Sequence, residues 1–195
     1  MEESQWLSSS LEVSDLSSLP YLSALAYNAL RPLRCDVDQK TKQKTLRLLT
    51  NGMYILTSRD GLTLGAATVT WVSQSSFKPP LLMAAVRKDS SVFRCLVKSR
   101  IAALHILGSH QQSIAQKFFS PTKADGVALN GEPFFEGKTS APILKNLHAY
   151  LECKVVDVRE EYGDHAIVVL QVVEAELLKP VEPLTIPGSP WEYGG

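Results

Sequence analysis

The chain has 195 residues with 20 basic and 20 acidic side chains, so its formal net charge is zero, and the lack of a basic excess argues against nucleic acid as a partner. Hydrophobic residues make up 45%, as in a soluble globular protein; the length suits one domain with a sizeable core, and no apolar run reaches the length of a membrane span. The opening MEESQWLSSSLEV is acidic and polar, unlike a secretory signal, and three scattered cysteines (Cys35, Cys95, Cys153) argue against a disulfide framework or a zinc site and fit a reducing, cytoplasmic setting.

Residues 1–42 read as an N-terminal extension, followed by one domain over 43–195. Met1–Leu19 is rich in serine and acid, a composition that holds loosely, and Tyr21–Leu33 predicts a short helix ending near Pro32. Lys42–Leu49 predicts a helix with basic residues outside and Leu46 and Leu49 inside. Met53–Ser58 is β-rich, Arg59-Asp60-Gly61 is a hairpin signal, and Leu62–Val72 predicts one long returning strand. Leu81–Val86 is wholly apolar, the pattern of a buried central strand. Ser90–Lys98 predicts a helix with Ser90 or Ser91 at its start, and Ile101–Leu107 a buried strand. Gln111–Phe119 predicts a helix on Ile114, Ala115, Phe118 and Phe119. Pro121–Lys145, long and rich in Gly and Pro, reads as a loop of the kind that covers a site. Ala149–Arg159 and His165–Val173 predict a hairpin across Glu160–Asp164. Antiparallel strands with two or three short helices predict a mainly β fold, a closed or nearly closed barrel. The Pro-rich tail after Lys179 ends in Trp191, Tyr193, Gly194 and Gly195, and terminal aromatics read as docking on a surface, including that of a second subunit. Cys95 and Cys153, in apolar surroundings, read as small buried hydrophobes.

The chemistry concentrates in Gly65–Leu81, GAATVTWVSQSSFKPPL. On a strand Thr68 and Thr70 share one face and Val69 and Trp71 the other; the chain then leaves through Ser73, Gln74, Ser75 and Ser76. Small residues let a backbone approach a ligand, and hydroxyls with backbone N–H groups bind an anion without a dedicated cation. The pattern points to a phosphate-bearing cofactor. Threonine also simply favours strands, Trp71 also suits a core, and Lys88 also suits a solvated surface. Lacking a GxSxG elbow, the serines do not read as a hydrolase; without GxGxxG after a strand there is no Rossmann signal; and no histidine pair has metal-ligand spacing.

The ordered motifs YILTSRDG, GAATVTWVSQSSFKPPLLMAAV, RIAALHIL, AYLECKVVDV and GDHAIVVLQVVEAEL resemble the flavin reductase-like family of FMN-binding split barrels, over about residues 46–195. The resemblance implies a six-stranded antiparallel Greek-key barrel and a homodimer with flavin near the interface. It implies FMN, with FAD as an alternative, reduced by NADH or NADPH through hydride transfer to flavin N5. It also implies a partner monooxygenase or another electron acceptor. A flavin-binding electron carrier without NAD(P)H turnover shares the same FMN residues. Matched to the family pattern, Thr68, Val69, Thr70 and Trp71 lie along the isoalloxazine ring, and Ser73, Gln74 and Ser76 reach its edge and the ribityl chain. Lys88 and Ser91 hold the phosphate, and His105 stands where many members have Asn. His165 of the Gly163-Asp164-His165 motif lies near the nicotinamide side in a positioning role; hydride transfer needs no protein acid, because the cofactor carries the chemistry. If the 121–145 segment or the tail with Trp191 covers the ring face, the carrier reading gains.

Overall fold

The computed structural model describes residues 38–191. The chain divides into two units, 1–42 and 43–195, and apart from the start of the first helix the following concerns the second. The expected 21–33 helix, Cys35 and Tyr193 lie outside the described residues.

Helix α1 (Gln39–Leu46) buries none of its residues. Leu46 and Leu49, expected inside, are both exposed; seven of the eight helix residues, Gln39–Thr45, are cationic or polar, which leaves too little apolar surface for a buried stripe. Strands β1 (Tyr54–Asp60) and β2 (Thr63–Val69) form a hairpin in register from Tyr54↔Val69 to Asp60↔Thr63. Its turn places Gly61 at φ 57°, a conformation glycine adopts without a Cβ penalty. Strand β3 (Val72–Ser76) pairs with β4 (Leu81–Arg87), not with β1. Helix α2 (Ser91–Ser99), strand β5 (Ile101–Ile106) and helix α3 (Gln112–Lys117) follow. Short strands β6 (Ala128–Leu129), β7 (Glu132–Glu136) and β8 (Pro142–Leu144) make a three-stranded sheet. The long hairpin β9 (Ala149–Arg159) and β10 (His165–Leu177) is the last regular element among the described residues.

The main sheet runs β2-β1-β5-β9-β10-β4-β3. Its two edge strands, β2 and β3, are consecutive in sequence, joined only by Thr70 and Trp71. A sheet whose outer edges are tied by two residues must curl on itself, and its right-handed twist assists the closure. It closes incompletely: the N–H of Ala85 on β4 donates to Trp71 O at 2.9 Å, and no ladder joins β2 to β3. The result is a split barrel. The single strand expected over 62–72 is therefore two, which makes seven strands instead of six. The break is physical: at Thr70–Trp71 the chain switches partners from β1 to β4. Strand β4 is next to the edge rather than central, with only Ala84 and Val86 of its alternating pattern buried. The expected 121–145 loop contains β6–β8, because Asn130 and Gly131, both at positive φ, turn the chain sharply enough for short strands to pair.

The barrel core joins Leu56, Val69, Ala84, Val86, Leu104, Cys153, Val155, Val168 and Leu170, closed by Val92, Phe93 and Leu96 of α2. Gly65 makes that closure possible. A Cβ there would lie 2.5 Å from Val92 Cα and 2.6 Å from its N, so glycine lets β2 touch the first turn of α2. The smallness of Gly65, expected to admit a ligand, serves instead to seat this helix. Cys95 and Cys153 are buried, and burial pushes the Cys153 thiol up to about 12.

A second cluster gathers Met53, Leu107, Ala115, Phe118, Leu129, Leu144 and Leu184. Leu184 belongs to the C-terminal strap, which backbone bonds fasten in place: Met53 N to Leu184 O at 2.8 Å, Leu184 N to Leu107 O at 2.8 Å, and Ile186 N to Asn51 O at 2.9 Å.

Candidate functional site

The barrel's split opens into a cleft of about 900 Å³, at the upper end of the range for small-molecule sites. Three structural features converge on it. Strand β2 and its exit supply Ala66–Trp71, the start of α2 supplies Asp89–Ser91 and Arg94, and the 118–122 segment supplies Phe118–Thr122; Ala85–Arg87, Asp164, His165 and Trp191 complete the walls.

The hydroxyls divide by what they already bond. Thr68 Oγ1 donates to Ala115 O at 2.8 Å, so its proton serves the fold. Thr122 Oγ1 accepts from Ala66 N and donates to Ala66 O, both at 2.9 Å. Its one proton is thereby used, so Ser91 Oγ donates to it across 2.6 Å. Thr70 differs. It is 4% exposed, and among the described residues its Oγ1 is the one buried side-chain polar atom without a hydrogen-bond partner. A hydroxyl buried without a partner costs roughly 1–3 kcal/mol, and Thr70 is one of the residues that line the cleft.

Helix α2 points its N-terminus into the same cleft. Ser90 caps it, accepting from Phe93 N at 3.2 Å and donating to Arg87 O at 2.6 Å. First-turn N–H groups lack intrahelical acceptors and carry the positive end of the helix dipole, which favours an anion. Arg87 is paired with Asp89 at 3.0 and 2.5 Å, and this bond holds the Asp89 carboxyl below the usual carboxylate range. Arg94 donates to the neutral carbonyl of Asp89 at 2.7 Å, and its charge also acts on the nearby Asp89 carboxylate; it lines the cleft beside the helix start. A hydroxyl wanting a partner at one end and an anion site at the other fit a polar planar ring bearing a phosphate.

At the far wall His165 Nδ1 lies 2.8 Å from Asp164 Oδ1, and its ring stacks at a tilt on Trp71 with centroids 4.8 Å apart. The bond from His165 lowers the pKa of Asp164. Because the carboxylate accepts, Nδ1 carries a proton, and Nε2 is the atom left to meet a ligand.

Of the residues singled out in sequence, the cleft brings together Thr68, Val69, Thr70, Trp71, Ser91 and His165. Gln74 and Ser76 are outside its lining, as is Ser73, which borders a shallower recess of about 270 Å³ with Trp71, Met83 and Ile167; past the strand break, β3 continues away on the β4 edge. Lys88 is also outside it. Its ammonium donates to Glu160 O and, at 2.6 Å, to Gly163 O, bracing the β9–β10 turn. His105 is fully buried in the core. Leu144 N donates to its Nε2 at 3.0 Å, and its Nδ1 bonds Ile55 O at 3.1 Å. Both nitrogens are thus used to hold β1, β5 and β8 together, and burial lowers its pKa to about 4. The cleft lining also holds Arg87, Arg94 and Phe119, which the sequence did not single out, and Thr122 and Trp191, which belong to the 121–145 segment and the tail expected to cover a ring face. Arg94 was detectable: it lies one helical turn beyond Ser90, where a side chain reaches back over the N-terminus.

These features define a class: a split β-barrel with a cofactor-sized cleft at its split. Residues 46–187 match the flavin reductase like domain family, and the chain belongs to that family. It is 30% identical over 150 residues to the reductase component of the 4-nitrophenol 4-monooxygenase/4-nitrocatechol 2-monooxygenase of Rhodococcus opacus, covering 76% of each chain. It is 35% identical over 161 residues to diflavin flavoprotein A 1 of Synechocystis, covering 81% of this chain and 27% of that protein. The chain thus spans only about a quarter of the diflavin flavoproteins it matches. Among solved structures, the NADH:FAD oxidoreductase of Streptomyces globisporus C-1027 superposes with a TM-score of 0.66 at 25% identity, covering 78% of this chain and 92% of the other. Among the described residues no helix is long and apolar enough to cross a membrane.

Proposed function

We propose that the chain is an NAD(P)H-dependent flavin reductase that takes FMN, or FAD, in the split-barrel cleft. The unpartnered hydroxyl of buried Thr70 carries this reading, because it offers one hydrogen bond where a flavin ring edge would lie. The start of α2, with Arg94, receives the phosphate in place of Lys88, whose donors are spent on carbonyls. Bound flavin supplies the chemistry, accepting hydride from a nicotinamide at N5. The protein's part is to bind, orient and exclude water: Trp71 and His165 form one wall, and Asp164 holds His165 in one tautomer with Nε2 turned to the donor's side. The Rhodococcus relative, a reductase component, supports a monooxygenase as the destination of the electrons. The family likeness supports a homodimer, and size-exclusion with light scattering reporting a monomer at micromolar concentration removes that part.

One observation favours the carrier alternative: Trp191 of the tail lines the cleft, where it narrows the room for a nicotinamide. An absorbance spectrum of the purified protein with FMN, taken before and after anaerobic NADH and then NADPH, separates the two. Prompt bleaching of the flavin band supports the reductase and names the donor. A band that bleaches only with dithionite supports the carrier, and no band at all removes both.

A further inference from the structure

The C-terminal strap delivers an aromatic side chain to the cleft from a part of the chain far from every other wall. The strap is anchored along its length: Ser109 N donates to Glu182 O at 2.8 Å, Leu184 is buried between Met53 and Leu107 donors and acceptors, and Gln112 Nε2 reaches Gly188 O at 3.3 Å. A tight turn follows, with Ser189 Oγ on Ile186 O at 2.8 Å and Trp191 N on Ser189 Oγ at 3.4 Å. Trp191 is therefore placed by its backbone rather than left to wander. Its ring meets Phe119 nearly at right angles, 78°, with centroids 4.9 Å apart. An edge-to-face pair uses the edge of one ring and one face of the other, and Trp191 also packs against the second core cluster, so what stays open is the aromatic surface on the cleft side. Both residues line the cleft, and Phe119 keeps 51% of its surface exposed despite the pairing. Apolar aromatic surface held rigidly and left open toward a cleft is the arrangement of a stacking platform.

We propose that Trp191 and Phe119 form such a platform, a ligand-binding element built by the tail that stacks a planar heteroaromatic ring across the cleft from Trp71 and His165. The inference rests on the flavin reading of the cleft and deepens it. The shared chemistry is a flat π system, and the cleft offers two sources, the isoalloxazine of the flavin and the nicotinamide of its reductant. In either case the platform sets how much space remains beside the other ring, so the tail governs which donor is admitted.

The test is a titration of full-length Trp191→Ala, Trp191→Phe and wild-type protein with FMN, followed by tryptophan and flavin fluorescence, and then steady-state kinetics with NADH and NADPH. Stacking of a base on an aromatic residue typically accounts for about five- to a hundredfold in affinity. If the platform holds the isoalloxazine, Trp191→Ala weakens FMN binding roughly tenfold, Trp191→Phe stays within about twofold, and FMN quenches a smaller share of the tryptophan emission in Trp191→Phe. If it holds the nicotinamide, FMN affinity is kept and the KM for the donor rises roughly tenfold at nearly constant kcat. Unchanged FMN affinity together with unchanged KM overturns the platform, and so does a Trp191→Phe variant as weakened as Trp191→Ala, since mere loss of packing then explains both. Should Trp191→Ala not fold, as judged by its thermal midpoint, Trp191→Leu keeps the apolar bulk without the ring and decides by the same titration. Wild-type protein that binds no FMN overturns the underlying flavin reading instead, and the platform with it.

Discussion

Two buried polar side chains, His105 and Thr70, lie on the same barrel and have opposite hydrogen-bond states. In the core around His105 every polar group is satisfied: the imidazole bridges Ile55 and Leu144, Thr57 donates to Pro142 O at 2.6 Å, and Glu152 accepts from Lys138 N and from the N and Oγ1 of Thr139. At the cleft the Thr70 hydroxyl, in a side chain nearly as buried, has no hydrogen-bond partner. Buried polar groups are almost always bonded, so satisfaction marks a group that the fold uses and its absence marks a group that the fold leaves for something else. A related contrast separates Lys88, whose ammonium is spent on the β9–β10 turn outside the cleft, from Arg94, which bonds the Asp89 carbonyl and lines the cleft.

The comparison can be broken first at His105. Burial lowers its pKa from the usual 6.5 to about 4, so the unfolded chain takes up a proton that the folded chain refuses. This stability is complete above pH 6.5, falls as the pH drops, and is lost by pH 4; at 1.36 kcal/mol per pH unit the loss is about 3 kcal/mol. Urea unfolding between pH 7 and 4 should show that slope in the wild type and a flatter one in His105→Gln. Equal slopes would mean that the imidazole is not clamped. A substitution at Gly65 tests the seat of α2. Gly65→Ala drives a Cβ into the Val92 backbone, and such overpacking costs about 2 kcal/mol while displacing the helix start from the cleft. Stability and FMN affinity should fall together, and a loss of only one separates the helix from the site.

Smaller effects sharpen the cleft side. Arg94→Ala should weaken FMN binding about tenfold by removing a charge-assisted bond, whereas Lys88→Ala should leave it within about twofold; the reverse ranking would return the phosphate to Lys88. Thr70→Val deletes the orphan hydroxyl at nearly constant volume. Thermal stability of the protein without flavin should stay level or rise slightly, while FMN affinity falls about fivefold, roughly 1 kcal/mol. A variant that loses stability would show that the hydroxyl has a partner within the fold.

Much of this was legible in sequence because it depends on neighbours along the chain. The β-rich runs Met53–Ser58 and His165–Val173, the glycine turn at Gly61 and the Ser90 cap are local signals, and they located most strands and the helix start within a residue or two. Thr68, Thr70, Trp71, Ser91 and His165 share the cleft lining for the same reason, each tied to a strand end or a helix start. Four readings failed where partners distant in sequence decided. The 62–72 strand broke because β3 pairs with β4. The 121–145 loop paired with itself as three short strands. Lys88 was captured by carbonyls 72 and 75 positions away, and His105 by Leu144, 39 positions away.

By itself, then, the sequence determined a mainly β chain of the flavin reductase type with a run of hydroxyls near the end of β2, because periodicity, caps and motifs are written in adjacent residues. Only the tertiary structure decided which of those hydroxyls remain unpartnered, which cation faces the cleft, and that a tryptophan from the tail stands at its wall. Hydrogen-bond satisfaction and wall-building are properties of groups brought together from distant positions, and no local pattern encodes them.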